Sequence, residues 1–484
     1  MRDYALIYLN GTRREIRGPE ALSMLGDWLR KEAGLTGTKI VCAEGDCGAC
    51  TVLRAFPSSE KNPLKFEAMN SCIATVAQMD GSHIVTVEGI QNGSDLSPVQ
   101  KAMRECHGSQ CGFCTPGFVM ALSGALEHHP ALDEKTACNY LTGNLCRCTG
   151  YQPIIQAAIQ AKAQDSHSVS KRYSKPAGIV DLLNHQKRSL KLGSEKTTFF
   201  APVSLEEALQ FVAENSGVRV MGAATDIGVQ LNKGKPLPQF LLSLHLISSL
   251  YEVEQLPDRF TIGARVTLSQ LRRKIGKNQT EFARFLDLFA SPQIKNVATL
   301  VGNIATGSPI GDTLPFLLVS DGEVCVAKWD LKRKEIVRRT IPFEKLYLGY
   351  RKLALEAGEV ITHVTFKNPT QDEHLRIYKV SQRKDLDIST VSGAFNFKIQ
   401  TSGKQKKIDQ AKIALGGVAA TPIRLSAIES QLTGKEITPE LLSETALQIG
   451  QFVQPLSDLR GTAEYRRVLA QNLFKKYSLE VLSE

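Results

Sequence analysis

A multidomain α+β chain is what this sequence predicts, and three observations predict it. The chain has 484 residues, enough for about three domains of roughly 150 residues each. Ten of its eleven cysteines fall between Cys42 and Cys148. The apolar pattern also changes along the chain, from strands around one helix, to helices alone, to strands alternating with helices. With 42% hydrophobic and 22% charged residues, a largely disordered, collagenous or coiled-coil chain is excluded. No apolar run approaches the roughly 20 residues needed to span a bilayer. The start, Met1-Arg2-Asp3 followed by the charged Arg13-Arg14, lacks the apolar centre of a signal peptide. A soluble, cytoplasmic protein with no membrane partner is expected.

The net charge of +10 raises nucleic acid as a partner. The basic residues are dispersed, thickening only at Lys171-Arg172, Lys187-Arg188 and Lys191. No aromatic-interleaved basic strand accompanies them, so a solvated linker is expected there and no nucleic acid.

Residues 1–92 read as a small α+β domain. Tyr4–Leu9 is a strand, Gly11 a turn signal, and a second strand runs through Ile16. Ala21–Ala33 reads as one amphipathic helix, with Leu22, Leu25, Trp28 and Leu29 on a face and Gly34 as the stop. Lys39–Cys42, Cys50–Phe56 and Ile84–Val87 are strand-like. Residues 93–165 read as an all-α bundle of four helices. Ser97-Pro98 opens the first, with serine as cap and proline at the first helical position. Thr115-Pro116 opens the second, Asp133 caps the third and Gln152-Pro153 opens the fourth. Residues 166–197, polar and basic, read as a linker. Residues 198–369 alternate strands and helices, with a turn-rich stretch from Ala298 to Asp312, and 370–484 is α+β with helices last.

The cysteine spacing carries chemistry. A disulfide framework needs a secretory context and would not leave the last 336 residues with Cys325 alone. Cys42-x4-Cys47-x2-Cys50, followed by Cys72, is the spacing of a plant-type [2Fe–2S] cluster. Three thiolates come from one tight loop and the fourth from a distant strand. Gly45 and Gly48 let the loop backbone fold and aim N–H groups at sulfur, which helps to set the reduction potential. Zinc usually takes paired Cys-x2-Cys hooks and fits this four-residue spacing poorly. Cys111-x2-Cys114 and Cys146-x-Cys148 form a second quartet, whose spacing alone leaves iron–sulfur and zinc both open. Both pairs lie at helix starts, where the positive helix end offsets an anionic group. Cys106, Cys138 and Cys325 read as buried structural thiols.

Longer motifs carry a resemblance. Gln110-Cys-Gly-Phe-Cys-Thr-Pro-Gly117 and Cys146-Arg-Cys-Thr-Gly-Tyr-Gln-Pro-Ile154 resemble the second iron–sulfur domain of the xanthine dehydrogenase and aldehyde oxidase family. Glu44-Gly-Asp-Cys-Gly-Ala-Cys-Thr51 resembles its plant-type cluster loop. Val220-Met-Gly-Ala-Ala-Thr-Asp-Ile227 and Thr299–Asp312 resemble its two FAD loops. Both are glycine- and hydroxyl-rich turns whose N–H groups can meet a pyrophosphate. The first departs from the family at Ala223-Ala224, where relatives often carry glycine.

The resemblance implies a β-grasp ferredoxin domain, a four-helix [2Fe–2S] domain, a two-part α+β FAD-binding domain and a flavoprotein C-terminal α+β domain. It makes Cys42, Cys47, Cys50 and Cys72 ligands of one [2Fe–2S] cluster, and Cys111, Cys114, Cys146 and Cys148 ligands of another. It assigns FAD contacts to Val220, Met221, Gly222, Ala223, Ala224, Thr225, Asp226, Ile227, Phe289, Thr299, Gly302, Asn303, Asp312, Ile361 and Lys379. Phe289 would flank the isoalloxazine, and Gln382–Ile388 would lie beside the flavin and influence whether NAD+ or oxygen is reduced. Gln110 and Cys148 would sit nearest a molybdopterin held by a partner chain.

The order cluster, cluster, FAD, flavoprotein tail resembles the small subunit of bacterial xanthine dehydrogenases, with a large molybdopterin-binding partner in an α2β2 heterotetramer. The implied activity is hydroxylation of hypoxanthine or xanthine on the partner, with no catalytic residue for that step in this chain. Electrons would pass through both clusters to FAD and then to NAD+. A sibling acting on an aldehyde or another N-heterocycle fits the same sequence, because substrate choice lives on the partner. A zinc-stabilised scaffold is the alternative of a different class.

Overall fold

The computed structural model describes residues 1–403 and 405–483. By contact the chain divides into two units, residues 1–248 with 290–298, and residues 249–289 with 299–484.

The first unit opens with a mixed five-stranded sheet in the order β2-β1-β5-β3-β4. Its strands are β1 (Tyr4–Leu9), β2 (Thr12–Arg17), β3 (Thr51–Ala55), β4 (Glu67–Asn70) and β5 (Ser82–Val85). Only β1 and β5 pair in parallel, and α1 (Leu25–Lys31) buries Leu25, Trp28 and Leu29. This is the β-grasp arrangement. The expected Ala21–Ala33 helix is interrupted: Gly18–Leu22 is a separate 3-10 turn and the α-helix starts at Leu25. The break is tertiary in origin, since Met24 bridges Thr75 and Leu25 donates its amide to the Ala74 carbonyl. Lys39–Cys42 is not a strand; the backbone there bends into the cysteine loop.

Four helices follow: α2 (Pro98–Glu105), α3 (Thr115–Leu126), α4 (Glu134–Leu141) and α5 (Gln152–Gln160). Ser97 accepts from the Gln100 amide in a capping box, and Asp133 accepts from Thr136. Their apolar faces share one core with Leu53 and Val85 of the first sheet and with Phe66 just before β4. Residues 166–197 are folded rather than a bare linker. They form α6 (Val169–Tyr173), α7 (Pro176–Gln186) and β6 (Leu190–Gly193). The polar composition hid their periodic apolar residues, Ile179 with Leu182 on α7 and Leu190 with Leu192 on β6, all buried.

The unit closes with β7 (Thr198–Ala201), α8 (Leu205–Glu214), β8 (Arg219–Met221), α9 (Thr225–Asn232) and β9 (Phe240–Ser243). The sheet runs β6-β7-β9-β8, with its last three strands parallel. Leu190, Phe199 and Leu241 of this sheet join Ala5, Ile7 and Trp28 in a second core. A one-turn helix, Pro292–Lys295, belongs to the same unit.

The second unit carries an antiparallel sheet in the order β10-β11-β16-β12-β13. Its strands are β10 (Val253–Gln255), β11 (Arg259–Gly263), β12 (Glu323–Asp330), β13 (Glu335–Pro342) and β16 (Val360–Lys367), with the hairpin β14 (Tyr347–Gly349) and β15 (Lys352–Leu353) beside it in sequence. The helices are α10 (Leu268–Ile275), α11 (Thr280–Leu288), α12 (Leu300–Thr306) and α13 (Leu314–Val319). The turn-rich stretch after Ala298 therefore contains a helix, capped by Thr299 and ended by Gly307 in the left-handed conformation. A second antiparallel sheet, β17 (Glu373–Val380), β18 (Val391–Ser402), β19 (Gln405–Gly416) and β20 (Ile423–Arg424), packs under α14 (Ser426–Leu432), α15 (Pro439–Phe452) and α16 (Ala463–Ser483). Among the described residues no helix is long and apolar enough to cross a membrane.

Candidate functional site

The loop before β3 presents Cys42, Cys47 and Cys50, and the turn after β4 presents Cys72. Gly45 and Gly48 adopt φ of 76° and 68°, the left-handed turns that let the chain circle a centre. The amides of Glu44 and Cys47 donate to the Cys42 sulfur at 3.4 Å each. The thiols lie within reach of one another: Cys42 is beside Cys47 and Cys72, and Cys72 is also beside Cys50. Donation from its neighbours drives Cys42 far below the usual thiol range, whereas Cys47 and Cys72 are raised by the same bonds.

The second quartet lies between the helices. The Cys148 thiol is 3.6 Å from Cys111, and Cys114 pairs with Cys146. Burial pushes the Cys114 thiol up to about 12. The Cys146 sulfur also meets the Thr149 hydroxyl at 3.2 Å, and its amide donates to the Tyr151 hydroxyl at 2.9 Å. Cys114 precedes α3, and Tyr151, with φ of 70°, precedes α5. Among the described residues no three His, Cys, Asp or Glu side chains close on a point as they would around one ion. Pairs of thiols suit a two-iron centre, in which two thiolates serve each iron.

The two cysteine loops touch. The Leu145 amide donates to the Cys47 carbonyl at 3.0 Å, so one backbone hydrogen bond joins the residue beside Cys146 to Cys47. Asn144 donates to the Gly48 carbonyl at 3.1 Å, and Gln293 to Asn144 at 2.7 Å. On the other side, Asn70 donates to the Gly45 carbonyl. Asn232 bridges the carbonyls of Ala43 and Cys72 at 2.7 and 2.8 Å. None of these amides carries a sequence signal, because their partners lie 25 to 189 residues away. The spare cysteines differ from expectation: Cys138 is exposed, and Cys106 and Cys325 are only half-buried. Cys106 donates to Gln160 at the surface.

Each unit holds one of the glycine-rich loops. In the first, Val220 and Met221 end β8, and Gly222 to Ala224 turn into α9, whose first residues are Thr225, Asp226 and Ile227. Ala224 adopts φ of 57°, a left-handed conformation that costs a non-glycine residue roughly 1–2 kcal/mol. The turn therefore forms with alanine at its left-handed position. Ala224 offers the α9 amides no side-chain cap. In the second unit, Thr299 accepts from the Gly302 amide at 2.9 Å, and Asn303 accepts from Thr313 at 2.7 Å. Asp312 and Lys379 form a buried ion pair at 2.7 Å, and Ser389 donates to the same carboxylate. Ile361 is buried on β16, against which α12 packs, and Phe289 follows α11 half-buried.

Four family models match in succession: a 2Fe-2S iron-sulfur cluster binding domain over residues 7–77, a [2Fe-2S] binding domain over 86–159, the FAD binding domain in molybdopterin dehydrogenase over 194–368, and the CO dehydrogenase flavoprotein C-terminal domain over 376–481. Xanthine dehydrogenase 1 of Arabidopsis thaliana is 30% identical over 99% of this chain. The chain belongs to the xanthine dehydrogenase and aldehyde oxidase family. The xanthine dehydrogenase of Emericella nidulans is likewise 30% identical over the whole chain. The chain spans about 40% of the length of these family members. Two solved structures share the fold at 23% identity. Carbon monoxide dehydrogenase from Hydrogenophaga pseudoflava matches at a TM-score of 0.53, over 59% of this chain and 96% of its own. Quinoline 2-oxidoreductase from Pseudomonas putida 86 matches at 0.52, over 58% and 94%.

Proposed function

We propose that this chain is the small subunit of a xanthine dehydrogenase. In this reading a separate large subunit hydroxylates hypoxanthine or xanthine at a molybdopterin centre within a cytoplasmic α2β2 assembly, and this chain conducts the electrons to NAD+. Residues 1–92 and 93–165 hold the two [2Fe–2S] clusters, 198–369 binds FAD and 370–484 completes the flavoprotein. Cys42, Cys47, Cys50 and Cys72 ligate one cluster, and Cys111, Cys114, Cys146 and Cys148 the other. When bound, the clusters carry single electrons and the flavin gathers two for hydride delivery.

The chain's own residues place and neutralise these groups. The amides opening α9, which no side chain caps, receive a phosphate, and Thr299, Gly302 and Asn303 line the second loop. The Asp312–Lys379 pair supplies a fixed dipole beside the flavin, and Gln382–Ile388 meets the nicotinamide. Gln110, with the exposed Cys111 and Cys148, faces the partner's molybdopterin. Phe113 and Leu145, 51% and 39% exposed, give that face apolar anchors.

The observation that carries the reading is the hydrogen bond from Leu145 to the carbonyl of Cys47, because it holds the two cysteine loops side by side, as electron transfer between two clusters requires. The test is the visible spectrum of the purified complex under anaerobic conditions. Xanthine should bleach the iron–sulfur and flavin absorption, and NAD+ should restore it. A coloured complex that xanthine leaves unchanged, but an aldehyde or another N-heterocycle bleaches, would overturn the purine assignment.

A further inference from the structure

Gln293 is fully buried, sits on the one-turn helix Pro292–Lys295, and lies in neither cysteine loop. Its side-chain amide donates to the Asn144 oxygen at 2.7 Å and to the Thr51 hydroxyl at 3.4 Å. Both of those residues hold the same atom. Asn144 donates to the Gly48 carbonyl at 3.1 Å, and Thr51 donates to it through its hydroxyl at 2.6 Å and its amide at 3.1 Å. In a trans peptide the carbonyl and the following N–H point in opposite directions. Fixing the Gly48 carbonyl on one side therefore turns the Ala49 N–H to the other, towards the Cys47 sulfur.

The Gln293 carbonyl oxygen is buried with no hydrogen-bond partner, a loss of about 1–3 kcal/mol. An apolar side chain of the same length would remove that cost, so packing alone does not explain a glutamine here. The space is tight as well: a Cβ on Gly143 would lie 2.1 Å from this oxygen.

We infer that Gln293 is a positioning residue for the first cluster: through Asn144 and Thr51 it orients the Gly48–Ala49 peptide so that the Ala49 N–H stabilises the Cys47 thiolate. This rests on the reading of Cys42, Cys47, Cys50 and Cys72 as cluster ligands. Hydrogen bonds to ligand sulfur favour the more negative, reduced cluster, so losing one lowers the midpoint potential.

The test uses the whole chain with its partner, in the parent and in Gln293→Met, Asn144→Ala and the double variant. Iron content, the paramagnetic spectrum of each reduced cluster and both midpoints are measured. Gln293→Met should keep its iron, lower the midpoint of the first cluster and shift its spectrum, while the second cluster's midpoint stays put. Asn144→Ala should move it the same way, and the double variant no further than the larger single change, as expected for residues acting in series. An unmoved first-cluster midpoint in Gln293→Met, or equal shifts of both clusters, would overturn the inference. If Gln293→Met does not hold iron, Gln293→Asn, an amide one methylene shorter, is read against the same two outcomes. A parent without iron–sulfur signals would instead refute the ligand assignment itself.

Discussion

Arg2 and Asp80 pair through two hydrogen bonds of 2.7 Å, with both side chains fully buried. The guanidinium also donates to the Arg188 carbonyl, and the carboxylate accepts from the Leu6 amide at 2.7 Å. Removing one partner leaves an uncompensated buried charge. Asp80→Asn should therefore lose about 3–5 kcal/mol in urea unfolding, and a loss below about 1 kcal/mol would show the charge to be solvated. His83 is buried among Tyr8, Phe66 and Tyr173, and its ring nitrogen accepts from the Gly11 amide. Burial lowers its pKa from 6.5 to about 4. The unfolded chain therefore takes up the proton first as pH falls. Stability from this group is complete above pH 6.5 and drains away between 6.5 and about 4, a span worth about 3 kcal/mol. His83→Gln, which keeps the acceptor but does not titrate, should flatten that part of the stability profile; an identical slope in both proteins would contradict it. Neither network was readable beforehand, because Arg2 and Asp80 are 78 residues apart and nothing local marks either as paired.

At the scale of elements, α3 lies against the first cysteine loop. A Cβ on Gly117 would sit 2.2 Å from the Gly48 carbonyl. Gly117→Ala must push the helix off the loop and should cost about 1–3 kcal/mol. Gly193→Ala, where nothing lies within 4 Å of the added Cβ, should be nearly neutral. Thermal unfolding of the pair checks this, and equal melting temperatures would contradict it. The helix starts were legible because caps are local: Ser97, Asp133 and the prolines at 98, 116 and 153 announce them within a few residues. The break at Ser23–Met24 was not, since it is imposed by Thr75 from another part of the chain. Helix α12 was obscured for the opposite reason: Gly302 and Gly307 suggested turns, and only Thr299 signalled a cap.

Across the whole molecule, the grouping of the first four cysteines was legible from spacing, with three of them inside nine residues. The amides that hold the cysteine loops were not, since Asn144, Asn232 and Gln293 reach them only through the fold. The sequence segments were also no guide to the cores. The first sheet shares one core with the helices α2–α5 and another with the sheet that carries β8. Whether one chain holds two distinct [2Fe–2S] clusters is decided by electron paramagnetic resonance of the dithionite-reduced protein. Two different signals should appear, each integrating to about one spin per chain with about four irons bound. Cys42→Ser should alter or abolish one and leave the other, and Cys111→Ser should do the reverse. A single signal, or a spectrum silent in protein loaded with zinc after iron and sulfide reconstitution, would contradict the account.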